Sequence, residues 1–184
     1  MKLFGIHGKK QSGKDETYKA IKSFYELKGC KVERIAFADS LKEEVAKACG
    51  VSLQFIEEHK DNFRLILQGW GTDFRRKLHN DNYWIIKTLN KIIVSNADVI
   101  VIPDVRFKNE YDAIAHSDGK LWKVVRKSYE LGGHKEIPSY SKPDTHASEC
   151  DLDDVTSWDV QIDNSGTLTQ LEKEVHLKLK LHNQ

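Results

Sequence analysis

The sequence has no long apolar run. Across its 184 residues the nearest approach is Ile92-Ile93-Val94, and Ser95-Asn96-Ala97-Asp98 parts it from Val99-Ile100-Val101-Ile102. A membrane-spanning helix is therefore not expected. Net charge is nearly absent: 29 Lys and Arg against 28 Asp and Glu leave +1. That balance argues against general affinity for nucleic-acid backbone or an anionic membrane, so phosphate recognition must come from local clusters. Cysteine is scarce; Cys30, Cys49 and Cys150 are odd in number and far apart. They read as reduced cytosolic thiols, not as a disulfide frame. No Cys-x-x-Cys pair occurs, and His134, His146 and Cys150 are spaced too loosely to predict a zinc site, which needs about four well-placed ligands. No Gly-x-Ser-x-Gly element offers a hydrolase nucleophile. The start lacks a signal-peptide pattern, because its apolar stretch is only a strand long. No internal repeat or low-complexity tract is found.

What is present begins at residue 2. Lys2-Leu3-Phe4-Gly5-Ile6-His7 is a short apolar strand, Gly8-Lys9-Lys10-Gln11-Ser12-Gly13-Lys14 is a Gly-x-x-x-x-Gly-Lys loop, and a helical pattern follows at once. In that context the loop reads as a P-loop, whose backbone N–H groups surround phosphate while the lysine reaches the β and γ phosphates. Gly8, Lys10, Ser12, Gly13 and Lys14 are the expected ATP-phosphate residues, and the following helix adds its positive dipole end. Asp15 stands where Ser or Thr usually contributes a hydroxyl to Mg²⁺. Its carboxylate either serves the metal, through water, or is favourable charge in the first helical turn.

The rest alternates strands with helices. Tyr18, Ile21, Phe24 and Leu27 recur at helical spacing as far as Gly29, and Val32–Phe37 reads as a second strand. Ser40 with Glu43 predicts a capping-box start for a helix carrying Leu41, Val45 and Ala48. A helical middle is expected over 52–96, interrupted near Gly69 and Gly71. Asp98–Ile102 reads as a strand buried on both faces, Phe107–Ala115 as a helix and Leu121–Val125 as a fourth strand. Lys127–Trp158, with Gly132-Gly133, Pro138 and Pro143, reads as a long loop or lid. Asp159–Ile162 is a fifth strand, and an amphipathic helix through Leu168, Leu171, Val175 and Leu179 closes the chain. This pattern predicts a single α/β domain over 1–184: a P-loop NTPase-type three-layer fold with a mainly parallel five-stranded sheet and a helical substrate-binding insertion.

Further chemistry lies at strand ends and helix breaks. Pro103-Asp104 follows the buried strand at the edge where α/β sheets bind ligands. Asp104 there either orders a Mg²⁺ shell or caps the next helix, and Arg106 is placed to reach the same site. Transfer of a phosphoryl group between anions needs cations around it. Candidates are Lys14, Arg64, Arg75, Arg76, Arg106 and Arg126. Arg64 and Arg75 flank Leu67-Gln68-Gly69-Trp70-Gly71-Thr72, where Gln68 offers a base-edge amide and Trp70 a ring. Asp39 and Lys42 are expected either to meet a second substrate or to start a helix.

These motifs, taken in order, resemble the bacteriophage-type deoxynucleoside monophosphate kinases. The resemblance runs through Gly8 to Asp15, Phe37-Ala38-Asp39-Ser40-Leu41-Lys42, Leu67 to Thr72 with Arg75-Arg76, Tyr83-Trp84, Asp104-Val105-Arg106-Phe107, His146-Ala147-Ser148-Glu149 and Ile162 to Leu168. The family's usual Gly-Lys-Asp-Thr is here Gly-Lys-Asp-Glu, with Thr17 one place late. The resemblance implies transfer of the ATP γ-phosphoryl to a deoxynucleoside monophosphate in the cytoplasm, a host cell's if the protein is viral. It implies catalytic Lys14, Arg106 and Arg126, with Arg126 beginning a lid. Asn164 and Gly166 would contact adenine. Asp39, Lys42, Arg64, Gln68, Trp70, Gly71, Thr72, Arg75 and Arg106 would meet the acceptor. Asp15 and Asp104 would serve Mg²⁺. Neither nucleic acid nor membrane is an expected partner, and a homodimer is left open. The alternatives are a P-loop kinase of another phosphorylated metabolite, of dephospho-coenzyme A or phosphomevalonate type, and a non-catalytic ATP-binding switch.

Overall fold

The computed structural model describes residues 1–130, 133–136 and 146–181, and they pack as two compact units, Met1–Arg34 with Asn96 onward and Ile35–Ser95. The first unit is built on a parallel sheet. Its strands are β1 (Lys2–His7), β2 (Val32–Arg34), β3 (Val99–Ile102), β4 (Lys120–Val125) and, after a separate hairpin of β5 (Lys127–Glu130) and β6 (Gly133–Glu136), β7 (Val160–Asp163). The order across the sheet is β2-β3-β1-β4-β7, every pair parallel, with Leu3 beside Ile100 and Ile6 beside Trp122. The expected five-stranded parallel α/β architecture is the one observed.

Alternation along each strand divides the core between two faces. Phe4, Ile6, Val99, Val101, Trp122, Val124, Val160 and Ile162 pack with Ile21 and Phe24 of α1 (Lys14–Glu26) and with Leu171, Val175 and Leu179 of α8 (Leu168–Leu181). Phe4 meets Trp122 edge-on, with centroids 5.9 Å apart. The opposite face carries Leu3, Gly5 and Leu121 against Ile114 of α6 (Lys108–His116), giving three layers. All four residues of β3 are buried, as its unbroken β-branched run predicts.

The second unit is helical: α2 (Phe37–Cys49), α3 (Leu53–Glu58), α4 (Lys60–Gln68), a π-helical segment (Gly69–His79) and α5 (Tyr83–Val94). Val45, Ala46 and Ile56 form its centre, with Leu41, Val51, Phe63, Leu67 and Trp70 around them. Two boundaries differ from expectation. The second strand ends at Arg34 and the helix begins at Phe37, three residues before Ser40, because the Asp39 carboxylate accepts the Ala36 N–H at 2.9 Å and turns the chain early. Gly69 and Gly71 do not interrupt the helix; they mark its change to π pitch. An ideal Cβ on Gly71 would lie 2.9 Å from Leu41 Cδ2, and its carbonyl receives the Trp84 indole N–H at 3.0 Å.

The expected loop over Lys127–Trp158 holds the β5–β6 hairpin and a short helix, α7 (Ala147–Cys150). Residues 131–132 and 137–145 of that stretch, Pro138 and Pro143 included, lie outside the described residues, as does the side chain of His134. Among the described residues no helix is long and apolar enough to cross a membrane.

Candidate active site

Parallel strands deliver their C-terminal ends to one edge, and the chemistry gathers there in the first unit. Gly8 follows β1, Asp104 is the second residue after β3, Arg126 follows β4 and Asn164 follows β7. The loop between β1 and α1 is shaped by its glycines. Gly13 has φ +101°, and a Cβ there would lie 2.0 Å from Asn164 Nδ2. A Cβ on Gly8 would lie 2.5 Å from the Val124 carbonyl. Only glycine fits either place without displacing its neighbour.

Lys14 folds back on this loop, donating from Nζ to the carbonyls of Gly8 at 2.7 Å and Lys9 at 2.9 Å. Burial, and then the Arg106 charge, lower its pKa to about 8 against the opposing pull of Glu149, Asp15 and Asp104. Ser12 is buried in the loop, and among the described residues its hydroxyl has no hydrogen-bond partner. An orphaned buried hydroxyl just before the N-terminus of α1 suits a phosphate oxygen. Asn164 is buried, with Nδ2 donating to the Ser12 carbonyl at 2.9 Å, a bond that ties the end of β7 to the loop. Gly166, Lys10, Asp15 and Arg126 are exposed.

Arg106 is engaged by the segment after residue 145. Its Nη1 pairs with the Glu149 carboxylate, and its backbone N–H donates to buried Glu110 at 2.8 Å. Burial disfavours the guanidinium charge, but Glu149 and Asp104 outweigh it and raise the pKa. Lys9 Nζ pairs with Asp153 and donates to the Glu149 carbonyl at 2.6 Å. Lys108 Nζ pairs with Asp154 at 2.7 Å. His7, at the end of β1, stacks on Trp158 with centroids 5.2 Å apart, and its Nδ1 lies 2.9 Å from the Val105 carbonyl.

For magnesium, the donors present are carboxylates. Asp15 and Asp104 act on the Lys14 charge and fit an ion carried by ATP phosphates and reached through water. The Thr17 hydroxyl is not among them: it is fully buried and donates to the Gly13 carbonyl at 3.0 Å. Among the described residues no three His, Cys, Asp or Glu side chains converge as a metal site.

The second unit has its own polar centre. Glu44 on α2 accepts from Trp70 Nε1 at 3.1 Å, Arg75 Nε at 2.8 Å, the Tyr83 hydroxyl, and Lys87 Nζ at 3.0 Å. Burial pushes its carboxyl up, yet these donors, Tyr83 first, overcome that and hold it at about 2. The Arg75 guanidinium carbon sits 4.8 Å from the Tyr83 ring centroid and 5.0 Å from that of Phe74. Of the predicted acceptor residues, Trp70 and Arg75 meet on Glu44. Gly71 and Thr72 are buried beside them in sequence, and Gln68 closes α4. Arg64 is half-buried on α4. Lys42 is paired with Glu57 and Asp39 with the Ala36 N–H. Arg76, also among the candidate cations, is buried with Nη1 on the Asp81 carbonyl at 2.9 Å.

Glu44 and Lys87 carry no expectation from sequence, and Tyr83 and Glu149 stand there only within motifs of the resemblance, with no role assigned. The signal available for Glu44 was a carboxylate on the buried stripe of a helix, where an acidic residue calls for a partner.

The profile of the family described as phosphomevalonate kinase matches residues 6–120. A protein of Acanthamoeba polyphaga mimivirus, whose name proposes a deoxynucleotide monophosphate kinase, is 33% identical over 76 residues, 41% of this chain and 34% of its own length. That match spans about a third of the curated relative. Among solved structures, shikimate kinase from Aquifex aeolicus aligns over 100% of this chain and 98% of its own, at 15% identity and a TM-score of 0.49. A gluconokinase from Sinorhizobium meliloti aligns over 98% and 92%, at 13% identity and a TM-score of 0.49.

Proposed function

This chain belongs to the phosphomevalonate kinase family of P-loop kinases, and we propose that it transfers the ATP γ-phosphoryl group to a deoxynucleoside 5′-monophosphate. The observation that carries this reading is Arg75, a cation held among the rings of Trp70, Phe74 and Tyr83. A phosphomonoester needs such a cation, and a nucleobase needs such faces. The mimivirus relative points to the same acceptor class.

In this mechanism the acceptor phosphate oxygen attacks the γ-phosphorus in line, the bond to the β-phosphate oxygen breaks, and no covalent enzyme intermediate forms. The loop Gly8 to Lys14 holds the donor phosphates, with the Ser12 hydroxyl given to one oxygen. Lys14 and Arg106 offset charge gathering in the transition state, Arg106 exchanging the Glu149 carboxylate for phosphate. Arg126, directly after β4, adds to them. Magnesium, when bound with ATP, would supply further neutralisation of phosphate charge, and Asp15 and Asp104 are the residues that would hold it, through water.

The family profile favours a second acceptor, a phosphorylated metabolite without a base. ADP release with MgATP, measured across deoxynucleoside and ribonucleoside monophosphates and phosphomevalonate, separates the two. Turnover that depends on the base is the expected result. Turnover with phosphomevalonate alone overturns the nucleotide reading, and ATP binding without acceptor-dependent release leaves a switch.

A further inference from the structure

A carboxylate has about four lone-pair sites. Glu44 accepts from four donors: Tyr83 and Lys87 on Oε1, Trp70 and Arg75 on Oε2. It is saturated, so it has no capacity left to bind a substrate, a metal or a proton in transfer. Whatever it does, it does through its donors.

Two of those donors are cations, so the cluster keeps a surplus positive charge after Glu44 is counted. Arg75 spends Nε on Glu44, and among the described residues its two terminal nitrogens have no hydrogen-bond partner. The guanidinium is thus fixed at one edge by a carboxylate and flanked by the rings of Tyr83 and Phe74, with its remaining donors unspent among the described residues. A planar fork in that state is suited to two oxygens of a phosphate monoester. The partners are 31 residues apart in sequence and lie on separate helices, so the geometry is a product of the fold.

We propose that Glu44 is a positioning residue that anchors Arg75 by Nε so that its two terminal nitrogens receive the acceptor's phosphate. The inference rests on the acceptor reading above and adds to it the residue that orients the cation. Removing the anchor leaves the charge of Arg75 in place and frees its geometry, which weakens acceptor binding without touching ATP.

The test is a double-mutant cycle on the full chain with E44Q, R75K and E44Q/R75K, and with E44D as the conservative variant. E44Q is expected to raise KM for the best monophosphate about tenfold and to leave KM for ATP within about twofold. E44D recovers most of that loss, and E44Q/R75K is no worse than the poorer single variant. Equal rises in both KM values, no rescue by E44D, or a multiplied loss in the double variant overturns the inference. If the unsubstituted protein releases no ADP with any monophosphate, the acceptor reading has failed. The inference then stands or falls on inorganic phosphate, titrated against the Arg75 Nε–H resonance in ¹⁵N-labelled protein. Weaker phosphate binding in E44Q upholds it, and equal binding overturns it.

Discussion

Lys14 is an ammonium held between two carbonyls, with a guanidinium close enough to disfavour its charge. Its pKa of about 8 lies below the ordinary 10.5, so it loses its proton early as pH rises. In the free enzyme, kcat/KM for ATP should therefore fall on an alkaline limb near pH 8. Bound phosphates favour the charged form, so the limb in kcat should lie higher. Lys14→Ala should lower turnover by at least ~10²-fold, comparable to losing a strong transition-state donor. The pH profile of its residual activity checks the assignment, because the limb must vanish with the side chain. Lys14, Gly8 and Gly13 can be read from sequence since their chemistry is contained within seven neighbouring residues. Glu149 cannot: it reaches Arg106 across 43 residues. The resemblance places Asn164 at a turn near adenine; what sequence does not show is that its Nδ2 also holds the P-loop, across 152 residues.

At the scale of elements, β1 and α6 approach closely because Gly5 lies between them. A Cβ there would lie 2.7 Å from Ile114 Cδ1 and 3.1 Å from both Leu121 Cδ2 and Val105 Cγ2. Three side chains packed on one another have little room to yield, so Gly5→Ala should cost about 1–3 kcal/mol through overpacking. Urea unfolding measures this as a lower midpoint at unchanged slope. A neutral outcome would mean that the interface between β1 and α6 is looser than these contacts describe. The strands were the easy elements to foresee, since an apolar run of four β-branched residues such as β3 has one natural place in a parallel sheet. The start of α2 is ambiguous in sequence because two acidic cap signals lie four residues apart, Asp39 and Glu43, and the structure uses the first, on the Ala36 N–H. The π-helical segment has no periodicity of its own to detect. Its glycines look like breaks until Leu41 and Trp84 are seen to need the space and the carbonyl. The β5–β6 hairpin was hidden in a stretch where no alternating apolar pattern marks a core face.

For the whole molecule, acid stability should fall in two successive windows, one from each compact unit, overlapping only between pH 4.5 and 4. In the first, burial above all, and then the charges of Lys123, Lys14 and Lys9, lower the pKa of His7 from 6.5 to about 4 despite the Val105 carbonyl. Between those values the unfolded chain takes up a proton that the folded one refuses, so stability falls as pH falls from 6.5 toward 4, by about 3 kcal/mol in all. In the second unit, Glu44 is held at about 2 against an ordinary 4.5. Its contribution is complete above pH 4.5 and is lost as pH falls toward 2, again because the unfolded state binds the proton first. His7→Gln should therefore flatten the slope of unfolding free energy with pH in the upper window only, and Glu44→Gln in the lower window only. Urea unfolding of the parent and both variants at half-unit pH steps reads this directly. Trp158 reports on the surroundings of His7, on which it stacks, and Trp70 on those of Glu44, to which it donates. A slope that His7→Gln leaves unchanged between pH 6.5 and 4 would mean that water reaches the imidazole at the end of β1. The electrostatic seclusion that lowers Lys14 beside it would then have to be smaller as well, and the alkaline limb of ATP capture would move toward the ordinary lysine value.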